Sequence, residues 1–188
     1  MDTYIKDPEF NTEGIDKIYF DMDGVLADFN AGIRDLGVEP VDINSPYTPE
    51  KAAAYDRLFN AMRNANHFFR YLKPIPDGVI LFTRLRKILG DRVAVLTGIP
   101  SEKRGIVDAV DDKRIWVDEW LGADVEVIAV PSKEKKNYCK GQGYALIDDS
   151  EKNVREWIAA GGSGFLFKQP EPVHIPDLPP HILDDEPR

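Results

Sequence analysis

Short apolar runs alternate along the chain with segments in which apolar residues recur every three or four positions. The short runs predict five buried β-strands, at residues 18–20, 93–96, 125–130, 144–147 and 164–167. Each run is almost continuously apolar, as expected for a strand covered on both faces. The helical segments between them suit crossover connections. The pattern therefore predicts an α/β fold, a Rossmann-like three-layer sandwich around a parallel sheet.

Several helices have recognisable start signals. Thr48 is a suitable N-cap because its hydroxyl can accept a hydrogen bond from a free amide of the first turn. Asp77 and Ser150 are predicted to cap two later helices, and Asp111 or Asp112 is predicted to open another. The sequence thus predicts four helices with defined starts.

The first two predicted strands are separated by more residues than a simple crossover helix needs. Residues 29–72 are therefore predicted to form a small helical cap inserted after the first strand. The α/β core would then comprise residues 1–28 and 73–168. Residues 169–188 are rich in proline and acidic side chains, which predicts an extended tail without a core of its own.

Composition narrows the classes of function. The chain has 188 residues, 43% of them hydrophobic, which suits one main domain. Its formal charge of -9 argues against duplex nucleic acid as a partner, although a small anionic substrate fits a local cationic pocket. The single cysteine, Cys139, cannot form an internal disulfide. The sequence has neither a signal-peptide core nor an apolar run that could span a membrane, so we expect a cytoplasmic protein.

Three predicted strands end in polar residues that can share one site. Asp21 and Asp23 follow the first strand, Thr97 follows the second, and Asp148 with Asp149 follows the fourth. The carboxyl ends of parallel strands border the crevice where such sheets bind ligands. Adjacent carboxylates repel unless a cation such as Mg²⁺ lies between them. Turn formation and helix capping explain each motif separately, whereas their joint occurrence favours a site.

Taken in order, these motifs resemble those of the haloacid dehalogenase superfamily of phosphotransferases. The resemblance implies a nucleophilic Asp21 that forms an aspartyl-phosphate, and an acid and base at Asp23. It also implies phosphate contacts from Thr97 and Gly98, although the family often carries a hydroxyl or amide side chain at the second position. The implied Mg²⁺ ligands are Asp21, the backbone carbonyl of Asp23, Asp148 and Asp149.

The first motif, Asp-Met-Asp-Gly-Val-Leu-Ala-Asp-Phe, resembles more narrowly the 5'(3')-deoxyribonucleotidases. This implies a (deoxy)nucleoside monophosphate as substrate, with Lys113 and Lys136 as candidate phosphate-binding residues. Phe29 is a candidate base-stacking residue, and Phe68 or Phe69 would close the pocket, although core packing explains these aromatics equally well. The sequence leaves open which lysine contacts the transferring phosphoryl group.

Alternative functions are also compatible with the sequence. A phosphatase of the same superfamily could act on a sugar phosphate or on a 3'-phosphorylated nucleic-acid end. A non-catalytic interaction protein could use the proline-rich tail. A phosphoacceptor receiver domain fits less well, because its acidic pair comes first along the chain whereas here it comes last. The family resemblance also suggests a homodimer.

Overall fold

The computed structural model describes residues 11–169, so all but the first residue of the predicted tail lies outside the described residues. Five strands are present: β1 (Lys17–Phe20), β2 (Val93–Gly98), β3 (Val127–Val130), β4 (Tyr144–Asp148) and β5 (Ser163–Leu166). Five α-helices accompany them: α1 (Phe29–Asp35), α2 (Pro49–Asn64), α3 (Pro76–Leu89), α4 (Ala109–Trp120) and α5 (Glu151–Ala159). Short 3₁₀ turns cover Phe68–Tyr71, Gly90–Arg92, Glu102–Arg104 and Ser132–Tyr138.

The strands form one parallel sheet in the order β3-β2-β1-β4-β5. The central strand β1 is flanked by β2 on one side and β4 on the other, with Phe20 in register with Val95 and Ile147. All five predicted strands are present, with ends within two residues of the prediction. The predicted α/β fold with a parallel sheet is confirmed.

The two faces of the sheet bury separate sets of side chains, as the strand alternation requires. The first face carries Ile18, Phe20, Val93, Val95, Ala145 and Ile147, which join a core that includes Phe82 and Leu85 of α3 and Trp116 of α4. The second face carries Tyr19, Ala94, Leu96 and Leu146, which cluster with Trp157 of α5. The sheet is therefore the middle layer of three.

Two of the predicted helix starts are confirmed. The Thr48 hydroxyl accepts a hydrogen bond from the Lys51 amide at 3.1 Å, and the Ser150 hydroxyl accepts one from the Asn153 amide at 3.4 Å. These bonds satisfy amides that have no partner within the helix itself. Ser150 thereby starts α5 directly after the acidic pair at the end of β4.

The other two predicted starts are wrong. Helix α3 begins at Pro76, one residue before Asp77, because proline suits a first helical position whose amide would have no helical partner. Helix α4 begins at Ala109, so Asp111 and Asp112 lie within its first turn rather than ahead of it. Asp112 is fully buried there and contacts another segment instead of capping its own helix.

Helices α1 and α2 and the Phe68–Tyr71 turn lie between β1 and β2 in the chain. Their buried side chains Ile33, Leu58 and Met62 belong to the same core cluster as the first face of the sheet. The inserted segment therefore rests on the α/β core through continuous apolar packing. Within residues 11–169, no helix is both long enough and apolar enough to cross a membrane.

Helix α3 fixes the backbone that follows β1. The Ile75 amide donates to the Leu26 carbonyl at 2.7 Å. One turn into the helix, Gly78 packs so closely on this backbone that a Cβ at position 78 would lie 1.8 Å from the Val25 carbonyl oxygen. Only glycine allows this approach, which holds the residues 22–27 loop against the core.

We expect Gly78→Ala to destabilise the fold by about 1–3 kcal/mol, because the added methyl group must push helix and loop apart. Urea unfolding measures this as a lower midpoint at unchanged slope. The exposed Thr83→Ala in the same helix is the matched control and should change stability by less than about 0.5 kcal/mol. Equal midpoints for the two variants would contradict this account of the contact.

Candidate active site

The carboxyl ends of β1, β2 and β4 meet at one rim of the sheet, because parallel strands all end on the same side. Asp21 directly follows β1, Thr97 and Gly98 end β2, and Asp148 ends β4. A cleft of about 660 Å³ opens at this rim. It is lined by residues of the sheet rim and also by the inserted segment between β1 and β2. The site thus lies at the topological switch point beside β1, because β2 and β3 are added on one side of β1 and β4 and β5 on the other.

Three carboxylates crowd together in this cleft. Asp21, Asp148 and Asp149 each offer an oxygen, and these three atoms lie within 4.8 Å of one another. Asp21 and Asp148 are buried, and the Asp21 backbone is fixed by its amide hydrogen bond to the Ile147 carbonyl at 2.8 Å. The structure therefore brings together the three predicted metal-binding side chains; the fourth predicted ligand is the backbone carbonyl of Asp23.

Crowding and burial make Asp21 and Asp149 hard to ionise. Burial raises the pKa of Asp21 to about 6, with added repulsion from Asp148 and Asp23 and partial relief from Lys135. Burial, followed by the charges of Asp21 and Asp148, raises the pKa of Asp149 well above its ordinary value. A divalent cation would relieve this repulsion, and an all-oxygen donor set suits Mg²⁺.

Lys135 bridges two of these carboxylates. Its Nζ lies 2.9 Å from Asp21 Oδ1 and donates to Asp148 Oδ2 at 2.8 Å, and the side chain is 2% exposed. Burial alone would lower the pKa of this amine, but the charges of Asp148 and Asp21 outweigh it and raise the pKa above its ordinary value. Lys135 therefore stays charged beside the candidate nucleophile.

The structure does not bring Lys136 to the predicted phosphate site. Its side chain is 46% exposed, and its Nζ lies 3.5 Å from Glu156 Oε2, on the side of α5. The Ser132–Tyr138 segment is a 3₁₀ helix with three residues per turn, so neighbouring lysines point in different directions. Lys135 takes the place in the site that the sequence assigned to Lys136.

Lys113 reaches the site from α4 and is fully buried. Its Nζ donates to Asp23 Oδ2 at 2.5 Å, to Thr97 Oγ1 at 2.8 Å and to the Gly98 carbonyl at 2.8 Å. The structure thus brings together Lys113, Asp23, Thr97 and Gly98, all of which the sequence singled out. The side chain of Asp23 faces this lysine rather than the acidic cluster, and its buried Oδ1 has no hydrogen-bond partner within residues 11–169.

The candidate aromatic residues lie beside this lysine. The Phe69 ring centroid is 4.4 Å from Lys113 Nζ, and Phe29 lies 6.3 Å from Phe69, centroid to centroid. Both rings line the cleft. Phe68 packs edge-on against both rings, at 5.5 Å from Phe29 and 5.2 Å from Phe69. Of the two alternatives at 68 and 69, the structure brings Phe69 to the cleft.

The residues missed by the sequence reasoning include two aromatic side chains of the cleft. Tyr55 and Phe59 of α2 line the cleft, with their rings stacked at 6.1 Å. Their spacing of four residues placed them on one helix face, but the same spacing also fits ordinary core positions. Arg104 covers the Phe59 ring at 4.5 Å and pairs with Asp56 at 2.5 Å, so the β2 side of the cleft also contacts α2.

A second polar cluster joins the turn that carries Phe69 to helix α4. Asp112 Oδ1 lies 2.9 Å from His67 Nδ1 and 3.2 Å from an Arg70 guanidinium nitrogen. The Asp108 carboxylate accepts from the His67 amide at 3.1 Å. Because Asp112 precedes Lys113 on α4, these contacts hold the turn that carries Phe69 against the helix that carries the lysine.

Comparisons with known proteins identify the family of the chain. The family model described as "5' nucleotidase, deoxy (Pyrimidine), cytosolic type C protein" matches residues 15–179. A protein of Vibrio phage KVP40 named "Putative 5'(3')-deoxyribonucleotidase" is 28% identical over 137 residues, which cover 72% of this chain and 67% of the relative.

Solved structures with a similar chain path are more distant. A HAD family hydrolase from Deinococcus radiodurans R1 has a TM-score of 0.44 at 14% identity, covering 80% of each chain. A HAD family enzyme from Bacteroides thetaiotaomicron has a TM-score of 0.42 at 15% identity, covering 86% of this chain and 98% of the other. These scores are too low to bear on function.

The family model spans most of the chain, including every motif that gathers at the rim of the sheet. The chain therefore belongs to the cytosolic type C 5' nucleotidase family, a deoxyribonucleotidase-like family of phosphomonoester hydrolases.

Proposed function

We propose that the protein is a Mg²⁺-dependent nucleotidase that hydrolyses (deoxy)nucleoside monophosphates through an aspartyl-phosphate on Asp21. The main support is that two carboxylates on one turn have different surroundings. Asp21 lies in the acidic cluster, whereas Asp23 lies apart from it against Lys113. One carboxylate can thus act as nucleophile while the other exchanges protons with the substrate.

The acidic cluster suits a magnesium ion. Asp21, Asp148 and Asp149 supply oxygen ligands, and their mutual repulsion is relieved when a cation joins them. When bound, Mg²⁺ supplies positive charge to the phosphoryl oxygens and so reduces their repulsion of an anionic nucleophile. The remaining chemistry comes from side chains of this chain.

Asp21 is held in position for attack. Its Oδ1 accepts the Met22 amide at 2.7 Å and lies 2.9 Å from Lys135 Nζ. These contacts orient the carboxylate and leave Oδ2 as the attacking oxygen. Oδ2 forms a bond to phosphorus while the ester P–O bond breaks, and the electron pair of that bond leaves with the ester oxygen. The product of this step is an aspartyl-phosphate, which divides one difficult hydrolysis into two easier steps.

Asp23 moves the protons of both steps. In the first step it gives a proton to the departing ester oxygen, which leaves as the nucleoside hydroxyl. In the second step its carboxylate accepts a proton from water as that water attacks phosphorus and releases Asp21 and inorganic phosphate. Lys113 holds Oδ2 in place. Oδ1 is buried and lacks a hydrogen-bond partner within residues 11–169, so no other group of the described residues competes for a proton on it.

The two buried lysines bracket the transferring group. Lys113 lies on the Thr97 and Gly98 side of the rim, and Lys135 lies on the Asp148 side. A phosphoryl group bound at Asp21 would therefore meet a positive charge on each side. Charges held rigidly where negative charge accumulates stabilise the transition state without reorganisation.

The aromatic residues are suited to a nucleobase. Phe29, Tyr55 and Phe59 line the part of the cleft contributed by the inserted segment. Aromatic faces stack on bases at about 1–3 kcal/mol per base. A sugar phosphate would leave this apolar surface uncovered, so the aromatic lining favours a nucleoside monophosphate.

Residues 29–72 are proposed to act as a cap that closes over the bound nucleotide. Asn44 ties this segment to the metal-binding loop, because its Nδ2 donates to the Asp149 carbonyl and its Oδ1 accepts from the Glu151 amide, both at 2.9 Å. Arg104 ties it to the β2 side through Asp56. Closure of this kind excludes water from the reacting groups.

We expect Asp21→Asn to lower phosphate release by at least about a thousandfold, because the nucleophile is lost. Asp23→Asn should lower turnover by about 10²–10⁴-fold through loss of proton transfer. The assay measures inorganic phosphate released from dUMP, dTMP and sugar phosphates, with Mg²⁺ or with EDTA. The exposed Asp118→Asn is the matched control and should retain activity. Activity on sugar phosphates alone would contradict the proposed substrate, and undiminished turnover by Asp21→Asn would contradict the mechanism.

The adjacent lysines provide a paired test. Lys135→Met should lower kcat/KM by about a hundredfold or more, because a buried charge beside Asp21 is lost. Lys136→Met removes the same charge from an exposed position and should change kcat/KM by less than about threefold. Steady-state kinetics on dUMP or dTMP measures both variants. A larger loss of kcat/KM in Lys136→Met than in Lys135→Met would show that Lys136 makes the phosphate contact.

Cation binding should depend on pH because protons and Mg²⁺ compete for the same carboxylates. The pKa of Asp21 is raised to about 6 in the folded protein, so the folded state holds this proton more tightly than the unfolded state does. Protonation of Asp21 therefore stabilises the metal-free fold at low pH, and this contribution is lost as pH rises through about 6. Mg²⁺ binds the ionised form, so its stabilising effect should grow over the same range.

Thermal unfolding at pH 5, 6, 7 and 8 measures this effect as the Tm shift caused by Mg²⁺. The shift should be small at pH 5 and reach its full size above pH 7. Asp149→Asn removes one oxygen anion and should reduce the shift at every pH. A shift that is the same at pH 5 and pH 8 would contradict the assignment of the cation to these carboxylates.

A further inference from the structure

We propose that Ser132 donates its hydroxyl hydrogen to the phosphoryl group of the substrate, from the space that a side chain at position 98 would otherwise fill. This inference rests on the proposed phosphatase function, because it assigns one more contact to the same bound group. It concerns a residue outside the sequence motifs that identify the site.

The space beside Gly98 is filled by the Ser132 hydroxyl. A Cβ built on Gly98 would lie 2.4 Å from Ser132 Oγ, a distance that real atoms do not tolerate. The same Cβ would lie 3.6 Å from Ser132 Cβ, which is an ordinary contact. The conflict is therefore with the hydroxyl alone. Glycine at 98 and serine at 132 fit each other.

The pairing of β2 with β3 brings these two residues together. Gly98 at the end of β2 is in register with Val130 at the end of β3, and the Ile99 amide donates to the Val130 carbonyl at 3.0 Å. Ser132 follows two residues after this pair. Gly98 and Ser132 both line the cleft that also contains Asp21. The hydroxyl therefore lies at the rim where the phosphoryl group would bind.

The Ser132 hydroxyl is available for a ligand. It makes no hydrogen bond to any part of the chain that the structure describes, and the residue is exposed toward the cleft. The neighbouring Thr97 hydroxyl is already engaged, because its oxygen accepts from Lys113 Nζ at 2.8 Å and its O–H donates to the Gly98 carbonyl at 3.4 Å. On this side of the rim, Ser132 thus offers an uncommitted donor, and phosphoryl oxygens are strong acceptors.

The test removes the hydroxyl from position 132 and then introduces one at position 98. Ser132→Ala should raise both KM and the inhibition constant of inorganic phosphate by about tenfold, as expected for a hydrogen bond to a charged group. Gly98→Ser alone should also impair binding, because its Cβ meets Ser132 Oγ. Gly98 does not have a positive φ, so the backbone tolerates a side chain there.

The double variant Gly98→Ser/Ser132→Ala should recover most of the lost affinity. Its new Cβ at position 98 faces the methyl group left at position 132, at the ordinary 3.6 Å separation, and carries a hydroxyl on the same rim. The matched control Gly98→Ala/Ser132→Ala has the same Cβ without the hydroxyl and should stay at the level of Ser132→Ala. Ser101→Ala, a nearby exposed serine, should leave both constants unchanged.

Two results would overturn the proposal: unchanged constants in Ser132→Ala, or equal recovery by the two double variants, which would show that shape rather than the hydroxyl matters. Calorimetric titration with inorganic phosphate in the presence of Mg²⁺ separates this inference from the proposed function. Weaker phosphate binding by Ser132→Ala supports the contact even if no ester is hydrolysed. Turnover that requires Asp21 but is indifferent to Ser132 overturns the contact and leaves the phosphatase in place.

Discussion

The site depends on holding like charges together at one rim of a parallel sheet. Asp21, Asp148 and Asp149 place their oxygens within 4.8 Å of one another in a largely buried position. Water cannot screen such charges effectively there, so the arrangement is unfavourable unless positive charge is supplied. Lys135 supplies one charge between Asp21 and Asp148. One ammonium group cannot neutralise three carboxylates. The side chains alone therefore leave a net negative charge, which a divalent cation would offset.

The strand order explains why this cluster can form from residues far apart in the chain. With β1 between β2 and β4, each neighbouring strand delivers its last residues to the end of β1. The lysines come from elsewhere, Lys113 from α4 and Lys135 from the turn before β4. The carboxylates are therefore placed by the sheet, and the cations by the connections that pack against it. As a result, Lys113 pairs with Asp23 and Lys135 pairs with Asp21.

The sequence places the sheet-borne residues of the site directly, whereas it places those of the turns and helices only in part, for physical reasons. A strand has one carboxyl end, so the carboxylates that follow β1 and β4 must lie at the same rim. A lysine in a turn has no such constraint, and the choice between Lys135 and Lys136 depends on a 3₁₀ helix that the sequence does not signal. The spacing of Tyr55 and Phe59 indicates a helix face without telling whether that face meets the core or the cleft. The fit between Gly98 and Ser132 joins residues whose proximity follows only from the pairing of β2 with β3.

The contacts of the inserted segment differ in strength, and this difference limits which part can move to admit a substrate. Helix α2 buries Leu58 and Met62 in the same core as the sheet, and exposing two such side chains costs about 1.5–3 kcal/mol each. The loop before α2 packs only the partly buried Val38 and Val41 against this core and is otherwise held by the exposed hydrogen bonds of Asn44, which contribute about 0.5–1.5 kcal/mol each. Opening through the loop is therefore cheaper than lifting the helix. Because Asn44 bonds the backbone of Asp149, any opening of this loop would also remove a contact that positions one of the acidic residues.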